Sequence, residues 1–301
     1  PATVQFVDIA GLIAGAGRGE GLGNAFLGHI REVQAILQVV RIFPDAGITH
    51  VEGGVDPERD FKIILEELLF ADAQQLEKQI GNREKKLKSG DPEVKARVAF
   101  FKKVQESVLA GERIFGKIPE FSDEEKKWLK EIQLLTAKPM MVLLNVGLDE
   151  LADAAAIVEK YEKIFGVDCF ALNVSLEVEL IGADGAERAE LLQDFVGEEK
   201  IPHLEDLIAM SYKTVGLQSF FTAGPEESRA RTVKIGATAP QAAGEIHTDF
   251  EKGFIKADVV AWEKLIEAGS RAAARERGWV RLEGKEYLVQ DGDVMFFKFS
   301  K

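Results

Sequence analysis

The pattern between residues 3 and 43 restricts the fold of this chain more than any other feature of its sequence. Residues 3–8 (TVQFVD) predict a buried strand that ends in an acid, and a glycine-rich run follows at 11–23 (GLIAGAGRGEGLG). A helix over 24–35 and an apolar strand over 36–43 complete the unit. Two strands joined through a helix are usually parallel, so we expect an α/β domain whose sheet is covered by helices.

A helical insertion interrupts this domain. The pattern over 56–111 is long, charged and helical, and the run KSGDP at 88–92 marks a sharp turn between two arms. Each arm of about 20 residues would extend roughly 30 Å. A further helix begins at Ser122, with Glu125 three residues later as in a capping box. We assign residues 56–135 to this helical hairpin domain.

The sheet pattern returns after the insertion and changes near residue 215. The first domain, comprising 1–55 and 136–214, should continue with strands at 140–146 and 168–174 and helices at 151–165, 187–196 and 203–214. From 215 to 301 the expected strands are 229–235, 254–262, 286–289 and 294–299, with helical pieces near 242–250 and 263–276. That order predicts a small mixed-sheet domain of β-grasp type.

Composition excludes several classes of protein. The chain has 301 residues, 46% of them hydrophobic, but no apolar stretch approaches the roughly 20 residues that span a bilayer. Its lone Cys169 cannot form an internal disulfide, which favours the cytoplasm. A net charge of −13 argues against DNA as a partner and against unselective nucleic-acid binding. Residues 83–103 nevertheless hold 8 basic and 3 acidic residues, so a local contact with an anionic partner stays open.

The segment Asp8-Ile9-Ala10-Gly11 has the form D-x-x-G at the end of a predicted strand. In P-loop hydrolases an acid at this place serves Mg²⁺ and the glycine amide meets a γ-phosphate. Asp8 is therefore a candidate metal ligand and Gly11 a candidate phosphate contact. An ordinary strand-to-loop turn is the alternative for so short a motif. A dinucleotide site is excluded because no register of the glycine run completes G-x-G-x-x-G.

A Walker A motif, G-x-x-x-x-G-K-[ST], is absent from the sequence. Residues 111–117 (GERIFGK) fit its first seven positions, but Ile118 stands where a Mg²⁺-binding serine or threonine is required. The segment also follows a predicted helix instead of a buried strand. We therefore reject it as a phosphate-binding loop.

Four blocks of the sequence resemble the YchF/Obg-like ATPase family in order and spacing. They are FVDIAGLIAGAGRGEGLGNAFLGHIREVQAI (6–36), SFFTAG (219–224), GATAPQAAGEIHTDFEKGFIKADVV (236–260) and RLEGKEYLVQDGDVM (281–295). The resemblance covers essentially the whole chain and implies a P-loop NTPase-type parallel sheet with an inserted helical hairpin, followed by a β-grasp TGS domain. It also implies Mg²⁺-dependent hydrolysis of ATP, or of GTP, and association with the ribosome or ribosomal RNA.

The same resemblance implies that the family's Walker A motif and first switch loop lie before Pro1. The strand pattern that follows Pro1 at once supports this expectation. We therefore expect this chain alone not to hydrolyse nucleotide.

The residues that would read the base depart from the family pattern. The family motif resembles N-x-x-E, whereas Asn145-Val146-Gly147-Leu148 has leucine in place of the glutamate, which leaves ATP and GTP as alternatives. Asn145 and Val146 are candidate base contacts, and a strand-closing turn is the other interpretation of Asn145. Ser175 lies where a second base-contacting loop is expected, or else it caps a helix.

Leu12 follows the D-x-x-G motif where most translational GTPases carry a water-orienting glutamine, and the family shares this apolar replacement. Some other group must then orient the attacking water. His50, in the loop DAGITHVEG, is our candidate catalytic residue because an imidazole can accept a hydrogen bond from water and transfer protons near neutral pH. Arg18 and Glu20 are competitors, and a solvated loop residue is the alternative for His50. Packing or surface roles are expected for His29, His203 and His247.

The leading hypothesis is an ATP-preferring, Mg²⁺-dependent phosphohydrolase whose nucleotide state regulates its association with the translation machinery. A non-hydrolysing RNA- or ribosome-binding scaffold that uses the basic hairpin and the TGS domain is the alternative from another class. A GTPase is the third interpretation.

Overall fold

A three-stranded parallel sheet forms the first part of the fold. The structure is a computed structural model that describes residues 3–9, 22–44, 54–87, 90–195, 201–224 and 227–300. Helix α1 (Leu22–Glu32) leads into β1 (Ile36–Arg41), which pairs with β2 (Met140–Asn145), and β2 pairs with β3 (Asp168–Leu172). Both pairings are parallel, which confirms the predicted α/β sheet. Central strand β2 is buried from Met140 to Leu144, as expected of a strand with a neighbour on each side.

The predicted helical hairpin is present between β1 and β2. Its arms are α2 (Pro57–Glu84) and α3 (Pro92–Leu109), and α4 (Asp123–Ile132) packs against both. Each arm begins in the same way, with an aspartate N-cap followed by proline, and α4 begins at the Ser122–Glu125 capping box. The first arm has 28 residues and therefore extends over about 42 Å.

The hairpin has an apolar core separate from that of the sheet. Arg97 lies over the rings of Phe101 and Trp128, and Arg83 lies over Phe101 from the other arm. These two arginines therefore pack within the hairpin. The buried core residues are Leu69, Leu76, Ile80, Val98, Phe100, Phe101, Val104, Val108, Ile114, Phe121, Trp128, Leu129, Ile132 and Leu134.

A buried carboxylate joins the hairpin to the sheet. Asp72 of α2 is fully buried and accepts hydrogen bonds from the backbone N–H of Leu135 (2.7 Å) and of Thr136 (2.8 Å). It also accepts one from the Thr136 hydroxyl at 2.7 Å. Burial raises the pKa of Asp72, although the hydrogen bonds from Thr136 and Leu135 act in the opposite direction. The carboxylate thus fixes the point at which the chain leaves the hairpin and enters β2.

The remaining helices of the α/β part are α5 (Ala154–Phe165), α6 (Val174–Ile181), α7 (Gly185–Phe195) and α8 (Leu204–Thr214). Helices α5 and α6 cover the sheet through Tyr161, Phe165, Leu176 and Leu180. Helix α6 lies just after β3, where the sequence had suggested only a loop or a helix cap. Because α6 begins at Val174, its first turn holds the backbone that follows β3 at this edge of the sheet.

The last part of the chain is a mixed five-stranded sheet, with strand order β5-β4-β8-β6-β7. Strands β4 and β8 are parallel and the other neighbours antiparallel, which confirms the mixed sheet. The strands are β4 (Leu217–Ala223), β5 (Ser228–Lys234), β6 (Phe254–Ala261), β7 (Arg281–Glu283) and β8 (Asp293–Phe299). The helices are α9 (Ala239–Gly244), α10 (Thr248–Lys252), α11 (Trp262–Ala268) and α12 (Arg271–Glu276).

One buried acid stabilises this sheet against helix α12. Asp258 of β6 is 2.5 Å from a guanidinium nitrogen of Arg271 and of Arg275, and 3.6 Å from the Lys298 ammonium. Burial acts to raise the pKa of Asp258, but the Arg271 hydrogen bond and the charges of Lys298 and Arg275 hold it below its ordinary value. Stability from this carboxylate is therefore present above the unfolded-state pKa and is lost as pH falls through the folded-state pKa.

Two predicted strands near the chain ends are corrected. Residues 3–8 were expected to be a buried strand, but they form none, and the side chains of Phe6 and Val7 are exposed. A strand needs a partner for its backbone groups, and in the described residues β1 pairs only with β2. The strand expected at 286–289 is reduced to an isolated antiparallel bridge between Leu288 and Thr238, and β4 and β7 were not predicted.

By contacts, the chain divides into two compact units, Val7–Leu207 and Ile208–Lys301 with Pro1–Phe6. The domain boundaries drawn from the sequence stay predictions. No described helix is both long enough and apolar enough to cross a bilayer.

Candidate functional site

The carboxyl ends of the three parallel strands meet at one edge of the sheet. Arg41 at the end of β1 is level with Asn145 at the end of β2, which is level with Leu172 at the end of β3. Ligands of open α/β sheets bind outside these carboxyl ends, because the loops that follow the strands can reach one another there.

Hydrogen bonds of two asparagines connect the chain after β2 to the chain after β3. The Asn145 side-chain oxygen accepts a hydrogen bond from the Val174 N–H (3.2 Å), and the Asn173 side-chain amide donates to the Val146 carbonyl (2.7 Å). Asn173 is buried, and its side-chain oxygen also accepts from the Leu176 N–H at 2.7 Å. The candidate base contacts Asn145 and Val146 are therefore held by the loop that leads into α6.

Ser175 lies in the first turn of α6, beside Val174, and its side chain is exposed. The helix cap is Asn173, so the interpretation of Ser175 as a cap was wrong. Sequence reasoning missed Asn173, although an asparagine directly after an apolar strand and three residues before an apolar helical position is a usual N-cap signal. Asn145 and Val146 thus lie at the end of β2, and Ser175 follows Val174, whose N–H donates to Asn145.

The loop after Asn145 turns into a short 3-10 helix, Leu148–Asp153. Its Gly147 N–H donates to the Glu150 carboxylate at 2.7 Å. Leu148 is 41% exposed at the start of this helix. The Glu150 carboxylate is thus bonded to the backbone N–H of Gly147. Leu148, which follows Gly147, presents an apolar side chain.

Contacts with the start of α8 hold α6 in place. Glu177 is buried and lies 2.9 Å from Nδ1 of His203, and it accepts a hydrogen bond from the Leu204 N–H at 3.2 Å. His203, for which a packing or surface role was expected, is thus a structural partner of Glu177. The pair holds the start of α8 against α6, whose first turn contacts Asn145 at the end of β2.

Of the remaining predicted site residues, only Asp8 lies in the described part of the chain. Asp8 is described and exposed, and no hydrogen bond or ion pair within the described ranges links it to the strand-end loops. Gly11 and His50 lie outside the described residues, as do Leu12, Arg18 and Glu20. Their roles stay predictions.

The fit of Mg²⁺ depends on the donors available to it. In the described part of the chain, no three His, Cys, Asp or Glu side chains are grouped so that they could hold a metal. Mg²⁺ in phosphoryl-transfer sites needs only one or two carboxylates, and it takes its other ligands from water and substrate phosphates. The exposed carboxylate of Asp8 fits that requirement.

The rejected G-x-x-x-x-G-K segment is part of the hairpin. Lys117 donates to the Ser107 hydroxyl at 2.9 Å and pairs with Glu112, and Ile118 packs against the hairpin core. Helix α3 precedes the segment and a 3-10 helix occupies its end. A phosphate-binding lysine requires a strand before its loop, and this one has none.

Comparison with known proteins agrees with this fold. The family model YchF-GTPase_C, described as "Protein of unknown function (DUF933)", matches residues 217–300. The Ribosome-binding ATPase YchF of Bacillus subtilis (strain 168) is 42% identical over 305 residues, which covers 100% of this chain and 82% of the relative. The Obg-like ATPase 1 of Gallus gallus is 38% identical and is covered over 77% of its length.

Among solved structures, the YchF GTPase of Schizosaccharomyces pombe has a TM-score of 0.76 at 34% identity, covering 93% of this chain and 76% of that one. A GTP binding protein from Pyrococcus horikoshii OT3 has a TM-score of 0.57 at 20% identity and supports the fold alone. The parallel sheet and these neighbours define the chain as an α/β protein of the P-loop NTPase type. With relatives above 40% identity along its whole length, the chain belongs to the YchF/Obg-like ATPase family.

Proposed function

We propose that this protein hydrolyses ATP, or alternatively GTP, with Mg²⁺, and that it associates with the ribosome in the cytoplasm. The observation that carries the proposal is 42% identity over the whole chain with relatives named ribosome-binding ATPases. The hydrogen bonds that join the loop after β2 to the start of α6 support it, because they lie at the carboxyl ends of the strands, where α/β proteins bind their ligands.

In this proposal each predicted residue has one role. Asp8 provides a carboxylate to Mg²⁺, whose chemistry when bound is to neutralise charge on the phosphates. The Gly11 amide contacts the γ-phosphate. Asn145, Val146 and Ser175 contact the base, and the hydrogen bonds from Val174 and Asn173 keep the first two in place.

Tight binding of the triphosphate also needs the backbone amides and lysine of a Walker A motif, which the 301 residues do not contain. We therefore define a Walker A form: this chain preceded by the Walker A-containing segment that the family resemblance implies, taken from the Bacillus subtilis relative. Calorimetric titration with ATP should show Mg²⁺-dependent binding to the Walker A form and much weaker binding to the 301-residue chain. Equal affinities would contradict the phosphate-binding role of that segment.

His50 is proposed to orient the attacking water. In the Walker A form, His50→Ala should reduce kcat about tenfold or more and leave ATP affinity nearly unchanged, because only a transition-state interaction is lost. Steady-state kinetics with a separate binding titration measures both quantities. His29→Ala, at an exposed position on α1, is the matched control. A normal kcat in His50→Ala would assign the histidine to a solvated loop and leave Arg18 and Glu20 as the competitors.

The turn of the hairpin is the proposed ribosome contact. Among its basic residues Arg83 and Arg97 pack on Phe101, and Lys102 pairs with Glu84 at 2.7 Å. Lys85 and Lys86 are exposed just beyond α2. Lys88 lies outside the described residues.

Charge reversal of Lys85, Lys86 and Lys88 to glutamate should weaken ribosome association by roughly tenfold or more, and wild-type association should fall as salt rises. Cosedimentation with ribosomes at several salt concentrations measures both effects. Reversal of Lys163, Lys213 and Lys264, three lysines elsewhere on the chain, changes the net charge equally and should have little effect. Salt-insensitive binding that survives the hairpin reversal would indicate that these lysines are only a solvated face.

The second candidate is a scaffold that binds RNA or the ribosome without hydrolysis. It draws on the basic stretch 83–103, which holds 8 basic and 3 acidic residues. Ribosome association by a Walker A form that neither binds nor hydrolyses ATP would support it over the enzyme.

A further inference from the structure

We propose that Lys138 is a positioning residue in a buried junction through which the helical hairpin and the glycine-rich run are coupled. The junction is formed by α1, by α2 and by the chain that enters β2. Nucleotide at the run and the ribosome at the hairpin turn would then change each other's affinity. The inference rests on the proposed function, which places the γ-phosphate at Gly11 and the ribosome at that turn.

Apolar side chains on both sides of the glycine-rich run pack against the hairpin. Ile9 lies in the D-x-x-G motif just before the run, and Leu27 and Ile30 of α1 follow it. Leu27 and Ile30 are buried members of an apolar cluster against which Ile9 packs. The hairpin contributes Leu68 and Ala71, which lie one turn apart on α2. The chain before the run and the chain after it are therefore anchored on the same part of one hairpin helix.

Lys138 holds the end of α1. Its ammonium donates to the backbone carbonyls of Arg31 (3.0 Å) and Val33 (2.5 Å), where the helix ends. The last carbonyls of a helix have no partner within it, and a positive charge suits that end of the helix dipole. Two residues before Lys138, Thr136 donates to Asp72 of α2. One short segment of chain therefore binds both α1 and the hairpin.

Charges also connect the three parts of the junction. Burial lowers the pKa of Lys138, and the Asp72 carboxylate acts to raise it. Burial raises the pKa of Asp72, and the charge of Arg31 on α1 is among the groups that act against that rise. Because Asp72 is fully buried, water and salt screen these interactions only weakly. A displacement of α1 relative to α2 would weaken them, so we expect the two helices to move together.

The length of α2 would amplify such a movement. A close-packed interior transmits displacement because it resists compression. Lys85, just beyond the end of α2, follows Ala71 by 14 residues, which corresponds to about 20 Å of helix. A small change in the angle of α2 near Ala71 therefore becomes a larger displacement at the proposed ribosome contact.

Ribosome affinity of the Walker A form, measured with adenylyl imidodiphosphate and Mg²⁺ and again without nucleotide, tests the inference. The two wild-type affinities should differ at least about fivefold. Lys138→Met removes the ammonium and should reduce that difference to about twofold or less. Affinity for the nucleotide without ribosomes should change less than about twofold, because Lys138 acts on coupling and does not bind nucleotide. Lys138→Arg keeps a cation and should restore most of the difference.

Lys117→Met is the matched control. Lys117 also makes hydrogen bonds in the Val7–Leu207 unit, but its partners Ser107 and Glu112 belong to the hairpin itself. This variant should keep the wild-type difference. A purely structural lysine at 138 would lower the stability of the unit and leave the difference unchanged, because both ribosome affinities would be affected alike. A difference that persists in a folded Lys138→Met protein would therefore overturn the inference.

Hydrogen exchange of the wild-type Walker A form gives a second measurement, which needs no variant. Adenylyl imidodiphosphate with Mg²⁺ should change the exchange rates of amides in 68–72 and 135–138, which are not assigned to the nucleotide site, by about threefold or more. Unchanged rates in both segments while the nucleotide binds would overturn the inference, as would wild-type ribosome affinities that agree within about twofold. Failure of the nucleotide or of the ribosome to bind at all would instead refute the proposed function.

Discussion

Replacement of Asp8 by alanine in the Walker A form is expected to lower kcat/KM for Mg²⁺-dependent ATP hydrolysis by about hundredfold or more. Phosphoryl transfer depends on a metal ion that neutralises charge on the phosphates, and an acid at the strand end helps to hold that ion. Asp8 is exposed and ends the segment that precedes the glycine-rich run, so its carboxylate is available to a ligand.

Phosphate release measured over a range of Mg²⁺ concentrations would show the effect as a loss of both rate and metal dependence. Glu77→Ala, which removes an exposed carboxylate from α2, is the control and should behave as wild type. An Asp8→Ala protein that keeps the wild-type Mg²⁺ dependence would remove Asp8 from the site.

Replacement of Asp72 by alanine is expected to destabilise the Val7–Leu207 unit by about 3 kcal/mol, a large part of the stability of an ordinary domain. The substitution leaves two buried backbone N–H groups, those of Leu135 and Thr136, and the Thr136 hydroxyl without their acceptor. Buried donors that lose their partner each cost about 1–3 kcal/mol, and partial relaxation or water entry reduces the sum.

Urea unfolding followed by the fluorescence of Trp128, in a background with Trp262→Phe and Trp279→Phe, would isolate this unit from the C-terminal one. Thr136→Val removes a single donor and should cost about 1 kcal/mol, whereas Glu77→Ala at an exposed site of the same helix should cost less than about 0.5 kcal/mol. An Asp72→Ala protein as stable as Glu77→Ala would show that the buried carboxylate does not fix the hairpin.

Local features of the fold were predictable because their causes lie within a few residues. The Ser122–Glu125 capping box and the Lys88-to-Pro92 turn each depend on neighbouring side chains, and the structure has helix boundaries at both. The parallel pairing of β2 with β3 followed from the strand-helix-strand pattern over 140–174. The family resemblance agreed on the larger arrangement, in which a helical hairpin is inserted into the α/β sheet and a small mixed sheet follows.

Non-local features were not predictable in the same way. Asp72 is one of many acids on a charged helix, and only its tertiary position buries it against Leu135 and Thr136. The strand predicted at 286–289 is reduced to one antiparallel bridge between Leu288 and Thr238. The Tyr287 hydroxyl and the nearby Gln290 N–H donate instead to the Asp293 carboxylate, at 2.7 and 2.9 Å. Strand β4, which pairs with β5 and β8, was also missed.

The candidate site was predictable in part. Asn145 and Val146 could be identified from the strand end, but the role of Asn173 depends on a hydrogen bond across 27 residues to Val146. The pairing of Glu177 with His203 likewise joins two helices that no local pattern relates. Sequence motifs therefore located the loops, whereas the contacts that hold them required the structure.

The central claim is that this protein is a Mg²⁺-dependent nucleoside-triphosphate hydrolase, and steady-state release of phosphate from ATP by the Walker A form tests it most directly. We predict turnover that requires Mg²⁺, that is absent from the 301-residue chain alone, and that falls in Asp8→Ala. Robust turnover by the 301-residue chain, or none by a folded Walker A form that binds ATP and Mg²⁺, would contradict it.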